Sequence, residues 1–477
     1  MSDQAKLTND LLKKAGVIES SSDSPTGAPS GFDPMPIIEK LDLWWFNGTY
    51  YFRRQGDDKF TAMSRDDTSR MLRVDFGLTN DKMKTPDGVI YGQIDQLLNH
   101  LLKERYVMVA ANVGGVKAGR YDWGGGRVLV TSSPKVIEPL PGECETILDF
   151  IKTLLGEDGG QRFLLWLKFG YEAVKNQCPR PGQCLVLAGL SGKGKGILQT
   201  YIISRILGGR HADPKKWLSG AEKFNEELIQ SEHLKIEEIP ASVRHDERSA
   251  LGERIKELCV NHTQSLRGMH KSSVTVQPQQ RLSMSLNDEP EKLKCLPPLT
   301  LDFRDKLLLL KTTSEDFFER YDNETENALT LFLRAVDKEL PALATHLIAL
   351  EVPQSLRDRR YGVRSYIDPE IEERLFELEP ESLLLTLIDD CLFPSSLDFK
   401  EDGSGELNPW KGSATELREK LIADNFPQFR TARKLLDCAV SECGKLLGKL
   451  GKKHPDRFSE SRTGKKRSWV IQPPSDD

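Results

Sequence analysis

Short apolar runs alternate with longer stretches of helical spacing through the middle of this chain. Gln183-Cys184-Leu185-Val186-Leu187-Ala188 is almost unbroken in its apolar character, as a strand buried on both faces should be. Ile197 to Leu207 follows with helical spacing, and His233 to Glu238 and Arg281 to Asn287 are two further strand-like segments. Thr146 to Lys175 predicts one or two helices leading into this region, and the whole of Glu143 to about Pro353 reads as a parallel α/β sheet with its helices. Upstream, Pro34 to Gly142 mixes both patterns. Asn47-Gly48 predicts a hairpin turn, Ile94 to Arg105 a helix, and Tyr106–Ala110 and Arg127–Thr131 strands. Pro139-Leu140-Pro141-Gly142 closes that part. Downstream, Ser413-Ala414-Thr415-Glu416 is a capping-box signature ahead of a helix bearing Leu417 and Leu421. A second helix is expected over Thr431 to Leu450, then a hairpin over Arg457 to Gln472 turning at Thr463-Gly464-Lys465-Lys466.

These patterns predict four stretches. Residues 1–33 form a short helical segment and a Ser/Pro/Gly-rich flexible linker; residues 34–142 an α+β domain; residues 143–353 a helical lead-in and a parallel α/β domain; residues 354–477 a helical connector and a basic end. Helix, helix and basic hairpin in that order suggest a winged helix. The length of 477 residues agrees with about three folded units. With 38% hydrophobic and 29% charged residues, wholesale disorder is excluded. No apolar run approaches the roughly 18 residues of a membrane helix, and the N-terminus lacks a charged-then-apolar signal, so no membrane partner is expected. The eight cysteines include no CxxC and no Cys/His cluster, which argues against a zinc site or disulfide framework and for a reducing cytoplasm.

The strongest chemical signal is Gly189-Leu190-Ser191-Gly192-Lys193-Gly194-Lys195-Gly196, set between the apolar strand and the helix that begins at Ile197. It fits GxxxxGK. Glycines let backbone N–H groups turn inward on an anion, the helix N-terminus adds partial positive charge, and Lys195 reaches the β- and γ-phosphates of a nucleotide such as ATP. The next position usually carries Ser or Thr to ligate Mg²⁺; here it is Gly196, with Thr200 a turn further along. A glycine turn between a strand and a helix is the plainer alternative. Glu237 and Glu238 end the second strand, as a nucleotide-hydrolysing site requires: Glu237 for Mg²⁺, through water, and Glu238 as general base. Two glutamates there also suit a solvated strand end. Asn287 tips the third strand, where it either orients the attacking water or opens the turn Asn287-Asp288-Glu289-Pro290.

Phosphate loop, acidic strand and Asn-tipped strand within about 100 residues resemble the superfamily 3 helicases, AAA+-related P-loop ring ATPases of viruses, phages and plasmids. Arg281 to Leu299, Asp305-Lys306 and the text around Trp410, His454-Pro455 and Trp469 are more closely similar to the helicase half and winged-helix end of phage- and mobile-element-encoded primase-helicases. The resemblance implies an ATP-driven DNA helicase or translocase serving phage or mobile-element replication in a bacterial host cell. It implies a homo-oligomeric ring, a hexamer by family habit, with a single DNA strand in its channel and a separate primase as a possible partner. It places a DNA-contacting hairpin at Leu266 to Val276, with Arg267, His270 and Lys271 on the strand, and makes Arg304 the first choice for the cation donated by a neighbouring subunit, ahead of Lys306 and the cluster Arg357, Arg359, Arg360 and Arg364. It also implies that Asn287 senses the γ-phosphate.

Net charge is −5, so a nucleic-acid site must be a local patch. One lies between Gly444 and Trp469, where nine lysines and arginines meet only Asp456 and Glu460; Lys465, Lys466 and Arg467 at the wing tip would contact duplex phosphates. A solvated surface is the other reading of such a tail. The loss of the loop hydroxyl at Gly196 leaves a second functional class open, a nucleotide-binding, weakly hydrolysing DNA-binding initiator or scaffold.

Overall fold

The apolar runs of the middle region assemble into one six-stranded, all-parallel sheet in this computed structural model, which describes residues 32–85, 88–90, 92–237, 245–267, 273–293, 295–318, 327–377, 380–393, 408–436, 441–463 and 466–474. In chain order the strands are β1 (Cys184–Ala188), β2 (His211–Ala212), β3 (His233–Glu237), β4 (Arg281–Leu286), β5 (Leu307–Lys311) and β6 (Tyr366–Ile367). Their spatial order is β2-β3-β4-β1-β5-β6. β4 thus comes late in the chain but lies between β1 and β3. The expected mixed α/β class with a parallel sheet is what forms.

Every residue of β1 and β4 is buried, and so are Leu307–Leu310 of β5. Leu185, Leu187, Leu308 and Leu310 share a core with Leu198, Ile202 and Ile206 of the helix after β1, with Phe150, Phe163 and Trp166 of the helix Glu145–Asn176, and with Phe332, Val336 and Leu343 of the helix Ala328–Ala349. The lead-in expected as one or two helices is two helical halves meeting at Gly156, whose φ of +68° breaks the helical run. Among the described residues no helix is long and apolar enough to cross a membrane.

The chain divides into two compact units. The first holds the sheet and everything upstream, up to Asp288, together with Leu299–Ile367; the second holds Glu289–Pro298 and Asp368–Asp477. Within the first, Asn47 and Gly48, both at positive φ, turn the hairpin Trp44–Phe46/Thr49–Phe52 as their sequence predicts. A small sheet, ordered Val109–Ala111, Gly126–Val130, Gly119–Trp123, follows the helix Gln93–Glu104. Onto it packs a second hairpin, Gln264–Leu266/Val274–Val276. Leu266, Val274 and Val276 share a core with Val109, Val128, Val130 and Ile229. A Cβ on Gly124 would lie 2.8 Å from the Thr275 Cβ, so only glycine permits this approach.

In the second unit the capping box forms as read: Ser413 accepts from the Glu416 N–H, and the Glu416 side chain accepts from the Ser413 N–H, opening the helix Ala414–Ile422. The single helix expected over Thr431 to Leu450 is instead two, Phe429–Leu436 and Glu442–Lys453. Leu436, Cys443, Leu446, Leu447 and Leu450 all reach one core with Leu417, Phe458 and Trp469, and apolar spacing alone does not distinguish one helix from two that face the same core. The basic hairpin Phe458–Thr463/Lys466–Ile471 forms, and a third strand, Trp410–Gly412, joins it on the Lys466–Ile471 side.

Candidate functional site: the carboxyl edge of the parallel sheet

In parallel α/β sheets, ligands bind beyond the carboxyl ends of the strands, where the strand order reverses. Here that edge carries the glycine-rich loop. Ala188 pairs with Leu286 of β4 and with Lys311 of β5, so the loop emerges between Asn287 on one side and Thr312 on the other. The Gly189 N–H donates to the Leu286 carbonyl at 3.1 Å, and the Thr312 N–H to the Ala188 carbonyl at 2.7 Å, fixing the loop's start to both neighbours. A Cβ on Gly189 would fall 1.9 Å from Thr312 Oγ1, and Gly194 holds φ +97° with Phe150 3.0 Å from where its Cβ would be. Neither position admits another residue.

Lys195 opens the helix and is 8% exposed. Its Nζ donates to the carbonyls of Gly189 and Leu190, both at 2.7 Å, so the ammonium sits within the loop's concavity. Lys193 pairs with Asp316 at 3.3 Å, while Ser191 and Gly192 are exposed and Ile197 packs on the core. Thr312 Oγ1 is buried without a hydrogen-bond partner.

A closed polar ring explains why β3 and β4 carry His and Ser at buried positions. Gln199 Nε2 donates to Ser283 Oγ at 2.7 Å, and Ser283 Oγ lies 2.7 Å from His233 Nε2. His233 Nδ1 lies 2.7 Å from Ser204 Oγ, and Ser204 Oγ donates to the Gln199 carbonyl at 2.9 Å. A carbonyl only accepts, so the Ser204 proton points to Gln199, which makes His233 Nδ1 the donor to Ser204; in a neutral ring Nε2 then accepts from Ser283. Burial, with His211 and Lys235 adding to it, pushes the His233 pKa down to about 3 and so favours that neutral ring. The bond from Ser204 back to Gln199 spans five residues and matches the π-helical turn Leu198–Ile203, which brings the Gln199 side chain over the sheet.

Beside the ring, Glu237 ends β3. Its Oε1 accepts from Lys235 Nζ at 2.8 Å, and the same ammonium donates to Thr200 Oγ1 at 2.9 Å. A Cβ built on Gly196 would lie 3.8 Å from Glu237 Oε1, so the helix start and the acidic strand end are adjacent. Nothing in the sequence pattern singled out Lys235. Its one signal was a lysine in a strand whose other inward positions are apolar or paired.

These groups bear differently on a nucleotide and on a metal. The loop, the helix start and Lys195 fit a phosphate chain. Among the described residues the donor set for Mg²⁺ does not fit: Gly196 offers no side-chain oxygen, the Glu237 carboxylate is already engaged by an ammonium, and no group of three or more His, Cys, Asp or Glu suited to a metal is present.

The remaining predicted residues fall elsewhere. Glu238, His270, Lys271 and Lys465 lie outside the described residues. Arg267 is exposed at the end of the hairpin strand, its N–H bonded to Asn225 Oδ1 at 2.9 Å. Arg304 ends the short helix Leu301–Arg304 just before β5, at the opposite, amino-terminal edge of the sheet, away from this chain's own loop. In the second unit, Lys466 opens the last strand, and Arg467 pairs with Glu460 at 2.6 Å and stacks on Trp469, 5.2 Å from the ring centroid. A groove of about 500 Å³ runs between the helix Glu442–Lys453 and that hairpin, edged by Lys445, Lys449, Lys452 and Arg467.

Residues 187–297 match a family model described as a family of unknown function, DUF5906. No curated protein matches the chain in sequence. An apo structure of the NrS-1 C-terminal region (305–718) aligns over 92% of this chain and 98% of that one, with a TM-score of 0.52 and 12% identity. A structure of the A form of the same region aligns over 93% and 100%, with a TM-score of 0.52 and 13% identity. At these identities the likeness shows a shared fold and no more. The overlap with SCCmec type IV Cch, described as an active helicase, has a TM-score of 0.26 at 10% identity over 86% of this chain and 71% of that one, which is too low to bear on any argument.

Proposed function

We propose that this chain is a nucleotide-driven DNA motor, an ATP-dependent helicase or translocase that works as a homo-oligomeric ring, by family habit a hexamer, in replication of a phage or mobile element. The observation that carries the reading is the phosphate loop at the carboxyl edge of a parallel sheet, with the Lys195 ammonium held inside it and the ends of the two neighbouring strands, Asn287 and Thr312, beside it.

In this reading the loop N–H groups and Lys195 hold the β- and γ-phosphates of ATP. Asn287 orients the attacking water and senses the γ-phosphate, Glu238 accepts the water's proton, and Glu237 stands where a water-mediated metal contact would have to compete with Lys235. The placement of Arg304 at the far edge of the sheet suits a group offered to a neighbouring subunit rather than to its own loop. The hairpin bearing Arg267, His270 and Lys271 contacts one DNA strand, and the helices Ala414–Ile422, Phe429–Leu436 and Glu442–Lys453 with the three-stranded sheet act as a winged helix whose Lys465, Lys466 and Arg467 meet duplex phosphates. A separate primase is a natural partner for such a motor.

The test is ATP hydrolysis by the purified chain, with and without single-stranded DNA, beside Lys195→Ala. DNA-stimulated turnover that the variant loses supports the motor. One observation favours a second reading: Gly196 without a hydroxyl beside a Glu237 already paired with Lys235 suits an initiator or scaffold that binds nucleotide and hydrolyses it poorly. Nucleotide and DNA binding without turnover would select it.

A further inference from the structure

We propose that the Lys235 ammonium takes the place of a divalent cation beside the phosphate loop, so that the site holds a nucleoside triphosphate with little dependence on Mg²⁺. This rests on the nucleotide-binding reading above and specifies what neutralises the phosphates within it.

The position after Lys195 is where a loop of this type usually supplies a hydroxyl to Mg²⁺. Gly196 supplies none, and a Cβ there would face Glu237 Oε1 at 3.8 Å. That oxygen is the one that accepts from Lys235 at 2.8 Å. The ammonium is held from its other side by Thr200 Oγ1 at 2.9 Å, one helical turn beyond Gly196. Lys235 alternates with His233 and Glu237 along β3 and shares their face. Its side chain is 15% exposed, against 54% for Glu237, so the charge lies inward of its partner and is fixed by two bonds rather than trailing in solvent.

A divalent cation at Glu237 would have to displace this ammonium and leave it largely buried, facing two positive charges across a few ångströms. Like charges at that distance in a partly desolvated site repel strongly. The two cations therefore exclude one another, and Lys235, tethered to the strand, is the resident one. With a triphosphate in the loop, Lys195 from the helix start and Lys235 from β3 share its charge. A charge-assisted bond from a tethered lysine needs no free ion and so leaves binding insensitive to chelation.

The experiment is an equilibrium titration of the full chain with a fluorescent ATP analogue, once in Mg²⁺ and once in excess EDTA. The wild type is expected to change affinity by less than about threefold between the two buffers. Lys235→Met is expected to lose about tenfold in EDTA and to recover part of that in Mg²⁺, whereas Lys235→Arg, which keeps the charge, stays within about threefold of the wild type in EDTA. A thermal melt shows whether each variant folds; if Lys235→Met does not, the wild-type pair of titrations and Lys235→Arg still decide. Wild-type binding that collapses in EDTA overturns the inference, as does a folded Lys235→Met that binds like the wild type without metal. Lys195→Ala separates this from the parent reading. If it binds no worse than a weakly binding wild type in both buffers, the phosphate site itself falls and Lys235 with it. If Lys195→Ala weakens binding while EDTA abolishes it in the wild type, only the role of Lys235 falls.

Discussion

The glycine-rich loop and the basic end of the second unit both gather positive charge, and they treat it in opposite ways. Around the loop, the Lys193, Lys195 and Lys235 side chains are at most 20% exposed and each is held by a named oxygen. In the second unit the Lys445, Lys449 and Arg467 side chains are 48–65% exposed; Lys445 and Arg467 pair with Glu442 and Glu460, and Lys449 reaches down to the buried Glu381. Buried, fixed cations define a point and so a ligand of fixed shape. Exposed ones define a field, which suits a polyanion whose phosphates need only be near. The difference teaches that charge count is a poor guide to recognition, since the loop has fewer cations and the more specific geometry.

The contrast breaks most sharply at Lys195. Lys195→Ala should cost about 100-fold or more in nucleotide affinity while leaving DNA binding by the second unit unchanged, measured by parallel titrations with each ligand. Next in size is the support beneath the loop. Ser283→Ala strands Gln199 and His233 in the core and should lower stability by about 1–3 kcal/mol in chemical denaturation. His233 adds a pH dependence. Its folded pKa, near 3, lies below the ordinary 6.5, so between those values the unfolded chain binds the extra proton. The stabilisation is complete above about 6.5 and is lost as pH falls toward 3, with a slope of up to about 1.4 kcal/mol per pH unit. Unfolding of His233→Gln followed over the same range should show a shallower profile; an unchanged one would mean that the ring admits a protonated imidazole. Smallest are the surface charges. Lys452→Gln or Arg467→Gln should each weaken DNA binding only a few-fold, alike for every DNA sequence, and reduce the salt slope by about one. A loss confined to one sequence would show that this surface reads bases.

What was legible in the sequence follows the same division. A continuous apolar run marked β1, the Asn47-Gly48 pair its hairpin, and Ser413 with Glu416 their helix start, because each depends on residues close in the chain. The insertion of β4 between β1 and β3 was not legible, since parallel neighbours carry no local mark of adjacency. For that reason the ring of His233, Ser283, Ser204 and Gln199 was invisible: it spans four positions from three elements, and each alone looks like an ordinary polar residue. Lys235 was missed similarly, because a lysine before two glutamates reads as surface charge until Thr200 is seen against it. The one expected helix over Thr431 to Leu450 failed for the converse reason, as a periodic pattern continues across a break when both halves face one core.

The hairpin at Gln264–Val276 is welded at its base to the small sheet of Val109–Val130, with Gly124 and Thr275 in too close an approach to slide. The described base of the hairpin and the small sheet are therefore one packed unit, with no slack between them. Tyr121 and Trp123, stacked on each other with ring centroids 4.7 Å apart, pack against the same core. In the motor reading proposed above, a base braced in this way would hand a rotation of β4 onward instead of absorbing it, and a bulkier residue at Gly124 would blunt that transmission without touching the glycine-rich loop.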